Sequence, residues 1–216
     1  MGFSRPSAVA LLLVVACSEA AAPRVDAPAY DPTQLWGVLY RWPTRQTIAV
    51  YTDPTAVPSG TNLGAVTAAA MTAWKQALGG SEFSFRATTS AADADVIIHV
   101  SSAPRMVGLA GCAEPPAFAS GVTFFCPASD SALTLPLAGG ATGRVKVDIS
   151  INPDATSAAN PLAALVTHEL GHAIGIGGHS PAPLDVMYAS PSASTPSMRD
   201  ITTLRWMVRQ KVELRL

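Results

Sequence analysis

The spacing of the histidines constrains the fold of this chain more than any other feature. Three of its four histidines lie within twelve residues, at His168, His172 and His179. His168 and His172 are four residues apart in a segment with a helical pattern, so both imidazoles project from one helix face, one turn apart. The spacing therefore predicts a helix with one face that can bring two imidazoles to one metal ion.

Glu169 follows His168 directly and stands at the edge of the same face. There it can take a proton from water without being a ligand, and HExxH is an arrangement typical of zinc hydrolysis. A catalytic zinc site usually has three protein ligands. Gly175 lets the chain reverse, so His179 is the predicted third ligand and Asp185 is the alternative.

Hydrophobic periodicity predicts one mixed α/β (α+β) domain. Gly79 and Gly80 should end the first helix, and Ser197 with Asp200 forms a capping-box pattern before the last. The remaining histidine, His99, falls in a predicted strand and is expected to have no metal role. Strands are predicted at 47–52, 83–86, 95–100 and 145–152, helices at 62–78, 160–174 and from 197, and irregular structure with the option of short strands at 108–130.

The N-terminus reads as an export signal. Residues 1–16 carry Arg5 and an apolar run that is too short to span a bilayer. The residues before Cys17 resemble a bacterial lipobox, which implies cleavage there and a lipid on the Cys17 sulfur. An ordinary secretory signal cut after Ala22, or an uncleaved anchor, are the alternatives. All three place the chain outside the cytoplasm, with the lipoprotein at the outer membrane or cell surface.

Residues 17–35 are predicted to be a flexible tether and 36–216 the folded domain.

Two cysteines remain if Cys17 carries a lipid. In an oxidising compartment Cys112 and Cys126 are expected to form a disulfide, and two unpaired thiols are the alternative. Charged residues make up only 13% of the chain and the net charge is -1, so there is no basic excess to bind nucleic acid. The expected partner is a protein or peptide substrate, with the membrane contacted only through the lipid and the chain a monomer.

The metal region resembles the metzincin metallopeptidases, most closely the matrixin-like group. That family shows HExxHxxGxxH followed by a Met-containing turn, and here Gly175 and Met187-Tyr188 match. Gly108-Leu109-Ala110 is also similar to the matrixin edge strand that holds substrate. The resemblance covers about residues 42–209, but only the metal region is specific. Gly178 occupies the family's third histidine position and His179 comes one residue later, which implies a bulge within 176–178.

The resemblance implies a metzincin-like catalytic domain and a zinc-dependent endopeptidase. Glu169 would be the general base, Met187 would lie in a turn beneath the zinc, and Tyr188 would wall the primed-side pocket. Matrixins carry a second zinc bound by several histidines, but only His99 remains here and one histidine cannot build that site, so one zinc ion is expected. Calcium stays open but unsupported, because the aspartates are scattered and form no EF-hand loop pattern. The alternatives are a catalytically inactive zinc-binding protein and a structural surface lipoprotein.

Overall fold

In the computed structural model of this chain, the described residues include six β-strands that form one mixed sheet. The structure describes residues 27–37, 39, 42, 43, 45–54, 57, 60–79, 82–100, 120–127, 133–136, 142–157 and 161–210. The strands are β1 (Gln46–Thr52), β2 (Phe83–Thr88), β3 (Val96–Val100), β4 (Gly121–Pro127), β5 (Leu133–Pro136) and β6 (Thr142–Ile151).

The sheet order is β2-β1-β3-β6-β4, and β5 also pairs with β6. Parallel pairing joins β2 to β1, β1 to β3 and β3 to β6, whereas β4 and β5 run antiparallel to β6. Strand β4 therefore ends the sheet order with the opposite chain direction. This placement matters for the site, because β4 also contacts the helix that carries the HExxH motif.

In the part of the chain that the structure describes, three α-helices accompany the sheet: α1 (Leu63–Leu78), α2 (Leu162–Ala173) and α3 (Met198–Arg209). Helix α1 begins after the Asn62 cap, whose side chain accepts from the Ala65 N–H, and ends at Gly79 with φ of 71°. The predicted glycine stop is thus confirmed. Ser197 and Asp200 form the predicted capping box at the start of α3. A short 3₁₀ turn, Pro153–Ala155, follows β6.

Helix α2 starts slightly later than the sequence predicts. The sequence favours Asn160 as its cap, but Pro161 is the cap residue, and no side chain caps this end. The ψ of Pro161 is 149°, which leaves the residue extended while its carbonyl accepts from Ala164 and Leu165. Asn160 lies outside the described residues.

Two tryptophans fix α2 in the core through their indole N–H groups. Trp74 of α1 donates to the Thr167 carbonyl at 2.8 Å, and Trp42 donates to the Ala173 carbonyl at 2.9 Å. The second bond satisfies a carbonyl at the helix end that has no partner within the helix. Both indoles are buried, so α2 is held at its middle and at its end. The apolar sheet face completes the core through Val96, Ile98, Val147, Ile149 and Ile151.

The predicted strands and helices are found within three residues of their expected bounds, and the largest difference is at β6, which begins at Thr142 instead of Val145. His99 lies in β3, as the sequence predicts. The segment 108–130 is predicted to be irregular with the option of short strands, and within it 121–127 is strand β4. Its order comes from pairing with β6, a distant partner that local patterning does not reveal. Gly108-Leu109-Ala110 lies outside the described residues.

The predicted flexible tether is wrong for residues 27–35. Tyr30 is buried, and its hydroxyl donates to Asp200 Oδ1 at 2.9 Å. The Ala29 N–H donates to Thr203 Oγ1 at 3.1 Å, also on α3. An aromatic ring with a buried hydroxyl partner docks a segment that composition alone marks as loose. The ordered part of the molecule therefore starts before Trp36.

The export signal, Cys17 and Cys112 lie outside the described residues. Cys126 is part of β4, but its side chain is not among those described, so the disulfide remains a prediction. Within the described part of the chain, no helix is both long enough and apolar enough to cross a bilayer.

Candidate metal centre

The structure brings the three predicted histidine ligands together. One ligand atom from each of His168, His172 and His179 lies within 4.8 Å of the others. The ring centroids of His168 and His172 are 4.6 Å apart, and those of His179 lie 5.3 and 5.2 Å from them. Three imidazoles converging from a helix and a following loop are a donor set that suits zinc.

Two of these rings have their tautomer set by backbone carbonyls. His168 Nδ1 lies 2.7 Å from the Val186 carbonyl oxygen, and His172 Nδ1 lies 2.6 Å from that of Ile176. Because a carbonyl can only accept, each neutral ring carries its proton on Nδ1. Each Nε2 therefore keeps its lone pair for a metal, as in metal-binding histidines generally.

Burial keeps the same rings neutral. Burial lowers the pKa of His168 to about 4 and that of His172 well below its usual value. Burial also lowers the pKa of His179, which is only half-buried. A metal therefore meets neutral donors at pH 7, without having to displace a proton from them.

The loop after α2 returns His179 to the other two histidines. Gly175 has φ of 123°, which few residues with a side chain adopt, and this turn reverses the chain as predicted. Gly177 and Gly178 then allow the loop to pass close to the N-terminal segment of the chain. The extra residue relative to the family pattern thus lies in a loop that still delivers His179.

Asp185, the alternative third ligand, is engaged elsewhere. Arg199 donates to both of its carboxylate oxygens, at 2.7 and 3.2 Å, and the Ser180 hydroxyl donates to Oδ2. Burial tends to raise the pKa of Asp185, but the hydrogen bonds from Arg199 and Ser180 outweigh it and hold that pKa below its usual range. Asp185 therefore supports the loop rather than joining the histidine cluster.

Glu169 lies beside the cluster and is held by strand β4. Thr123 Oγ1 donates to Glu169 Oε2 at 2.6 Å. Gly121 leaves room for the carboxylate, because a Cβ there would lie 2.6 Å from Glu169 Oε1. Burial raises the pKa of Glu169 to about 7, against the lowering effect of the Thr123 hydrogen bond. A carboxyl group with a pKa near 7 is suited to general acid–base work.

Met187 lies in a buried turn beneath α2. Its sulfur occupies the space beside Gly171, where a Cβ would lie 2.3 Å from Sδ. The preceding residue, Val186, supplies the carbonyl that orients His168. Asp200 holds the turn from below, accepting from the N–H groups of Val186 at 3.0 Å and Met187 at 3.4 Å. The turn thus fixes both the packing and the tautomer of the first ligand.

A cleft of about 440 Å³ opens over the histidines and Glu169. Strand β4 forms one side through residues 120–123, and the N-terminal segment contributes Leu35 and Trp36. Ala189 and Pro191 line it after the Met187 turn. Tyr188 is half-buried and is not among the described residues that line the cleft, so its predicted pocket role stays a prediction.

Several site residues have no sequence signal of their own. Thr123 and Gly121 lie in β4, within a stretch expected to be irregular, and their role follows only from the pairing of β4 with β6. Leu35 and Trp36 lie more than 130 residues before His168 in the sequence. Only a fold that closes the chain on itself places them beside the ligands.

No protein-family model matches the chain, and no curated protein matches its sequence.

Proposed function

We propose that this protein is a zinc-dependent endopeptidase of the metzincin type. The observation that carries the proposal is the joint geometry of four side chains, with three neutral imidazoles converging on one point and Glu169 buried beside them. The cleft above them and the buried methionine turn beneath α2 agree with that class. The donor set fits zinc, because two of the rings present an unprotonated Nε2 and the third is neutral.

A zinc ion bound by His168, His172 and His179 would supply Lewis-acid polarisation of a carbonyl and lower the pKa of bound water to about 7. Glu169 would transfer the proton from the attacking water to the leaving group. Its Oε2 is occupied by the Thr123 hydroxyl, so Oε1 is the atom available to take a proton from the attacking water. The protonated carboxyl then delivers this proton to the leaving amine of the cleaved peptide bond.

Strand β4 gives the substrate a place to bind. Among the described strands it ends the sheet order, and residues 120–123 line the cleft next to Glu169. An extended peptide can pair with such an edge through backbone hydrogen bonds, which favours a protein or peptide substrate over a small molecule. The peptide carbonyl would then lie over the histidine cluster, within reach of Glu169.

The decisive experiment separates metal binding from turnover. The full chain is loaded with zinc and assayed against a quenched peptide library, beside Glu169→Gln and a chelator-treated sample. We expect Glu169→Gln to bind one zinc equivalent and to lose about 1,000-fold or more in kcat, because general-base catalysis and water positioning are both removed. Gln76→Ala, on the exposed surface of α1, is the control.

Two results would contradict the proposal. Cleavage that persists in Glu169→Gln or after chelation would assign the activity to another site. One bound zinc with no cleavage across the library would instead support the inactive zinc-binding alternative.

We further propose that the protein acts outside the cytoplasm as a lipid-anchored monomer. This rests on the sequence of residues 1–17, with Cys17 as the lipid attachment site. Replacing Cys17 by Ser should release the chain from the membrane fraction if the sulfur carries the lipid. Unchanged membrane association of that variant would overturn the lipid-anchor assignment.

A further inference from the structure

The segment Asp31–Gly37, here called the N-terminal strap, lies against the loop that carries the third histidine. The Leu35 N–H donates to the Gly177 carbonyl at 2.6 Å. The His179 N–H donates to the Gln34 side-chain oxygen at 3.2 Å. The strap thus holds the backbone of the ligand loop at two points, one of them the ligand residue itself.

The two glycines before His179 leave the space that this contact needs. A Cβ on Gly177 would lie 2.1 Å from the Trp36 ring and 2.8 Å from the Pro32 carbonyl oxygen. A Cβ on Gly178 would lie 1.9 Å from the Asp31 carbonyl oxygen. Neither glycine has positive φ, so their conformation does not require glycine. The close approach of the strap is what requires glycine at both positions.

Trp36 extends the strap to a second ligand. Its ring meets His172 edge-on at a centroid distance of 5.8 Å and meets Phe125 of β4 at 5.2 Å. Trp36 therefore packs between the ligand helix and the edge strand. The strap itself is anchored upstream, where the buried Tyr30 hydroxyl bonds to Asp200.

We propose that the N-terminal strap positions the metal ligands, with Gln34 and Trp36 acting through His179 and His172. Without the strap, the glycine-rich loop 175–178 would have no support on that side, and His179 would sample orientations that do not reach the metal. The extra glycine before His179 is then the space that admits the strap. The proposal rests on His179 as a zinc ligand, which is part of the proposed function, and does not depend on peptidase activity.

The test is metal affinity measured on the full chain. Zinc affinity is obtained by competition with a chromophoric chelator, and Co²⁺ absorption reports the coordination number. We expect Gln34→Ala to weaken zinc binding about threefold, as for loss of one neutral hydrogen bond, and Gly178→Ala to weaken it at least tenfold. Gln76→Ala, an exposed glutamine on α1, is the matched control and should bind zinc as the wild type does.

A double-mutant cycle separates positioning from general destabilisation. In a His179→Ala background, Gln34→Ala should have no further effect on metal affinity, since the ligand on which it acts is gone. Wild-type affinity in Gln34→Ala, or a loss that persists undiminished in the His179→Ala background, would overturn the proposal. If Gly178→Ala does not fold, the Gln34→Ala cycle decides alone. Strap-dependent zinc binding without peptide cleavage would contradict the proposed activity and leave the strap's role intact.

Discussion

Glu169 owes its position to two residues that sit on a strand rather than on its own helix. Thr123 bonds one carboxylate oxygen, and Gly121 leaves space for the other. A base on a helix surface would otherwise have several rotamers available. The edge strand therefore aims the carboxylate as well as lining the cleft.

Thr123 provides a sharp test of this arrangement. Replacing it by Val keeps the shape of the side chain and removes the hydroxyl, so we expect kcat to fall roughly 10-fold to 100-fold, as for a hydrogen bond to a charged group. Thr123→Ser keeps the hydroxyl and should retain most of the rate. Both are measured by steady-state peptide cleavage.

Zinc affinity should be unchanged in both Thr123 variants, because the hydrogen bonds described for Thr123 go to Glu169, which is not a predicted ligand. Equal rates for the Val and Ser variants would show that the hydroxyl does not position Glu169.

At the scale of single residues, the sequence predicts those parts of the site whose residues are close together in the chain. The spacing of His168, Glu169 and His172 alone predicts the helix face that the structure shows. His179 was predicted through the reversal at Gly175, and its ring does reach the others. Thr123 could not be predicted, because its role depends on a strand pairing that brings it to a helix 46 residues away.

Helix α3 and the methionine turn are joined through one buried carboxylate at their meeting point. Asp200 accepts from the backbone of Val186, Met187 and Ser197 and from the hydroxyl of Tyr30. Burial raises the pKa of that tyrosine far above its usual range, and the nearby Asp200 carboxylate adds to the effect. One side chain thus caps α3, holds the turn and docks the N-terminal segment.

Asp200→Asn should therefore destabilise the protein strongly. Whichever way the amide faces, its NH₂ group meets donors, so we expect a loss of about 3 kcal/mol or more in the free energy of unfolding. Tyr30→Phe removes only one of the bonds and should cost about 1 kcal/mol. Urea unfolding of the metal-free protein measures both losses. An Asn variant as stable as the wild type would show that the carboxylate is not the common anchor.

The elements themselves were predictable to different degrees. Strand β6 shows clean alternation and α3 carries its capping box in the sequence, so both were found near their expected places. Strand β4 contains Phe124 and Phe125 side by side, which gives no period-two signal, and its identity depends on β6. Composition alone favours a tether at 27–35, because Tyr30 is the one aromatic residue in a stretch of Ala, Pro and polar residues.

At the scale of the whole molecule, metal binding should be coupled to folding. The ligands come from α2 and from the loop after it, and an unfolded chain does not hold them together. At zinc concentrations about 1,000 times Kd, linkage predicts about 4 kcal/mol of added stability. For a chain of this size that corresponds to a rise in Tm of roughly 8 to 16 °C.

This rise can be followed by thermal unfolding with zinc and with a chelator. Glu169→Gln should keep the full rise, because Glu169 is not a ligand, whereas His172→Ala should lose most of it. A rise of equal size in His172→Ala would place the stabilising metal somewhere other than the three histidines.

The docking of the N-terminal segment also sets how the molecule bears mechanical load. A pull applied upstream of residue 27 reaches the Ala29 and Tyr30 contacts on α3 before it reaches Gln34 and Trp36 at the cleft. Those contacts include a buried aromatic ring, and they have to break before the force reaches the loop that carries His179. If the protein is held by its N-terminal end, a force applied through that end is borne by the contacts with α3 before it reaches the predicted metal site.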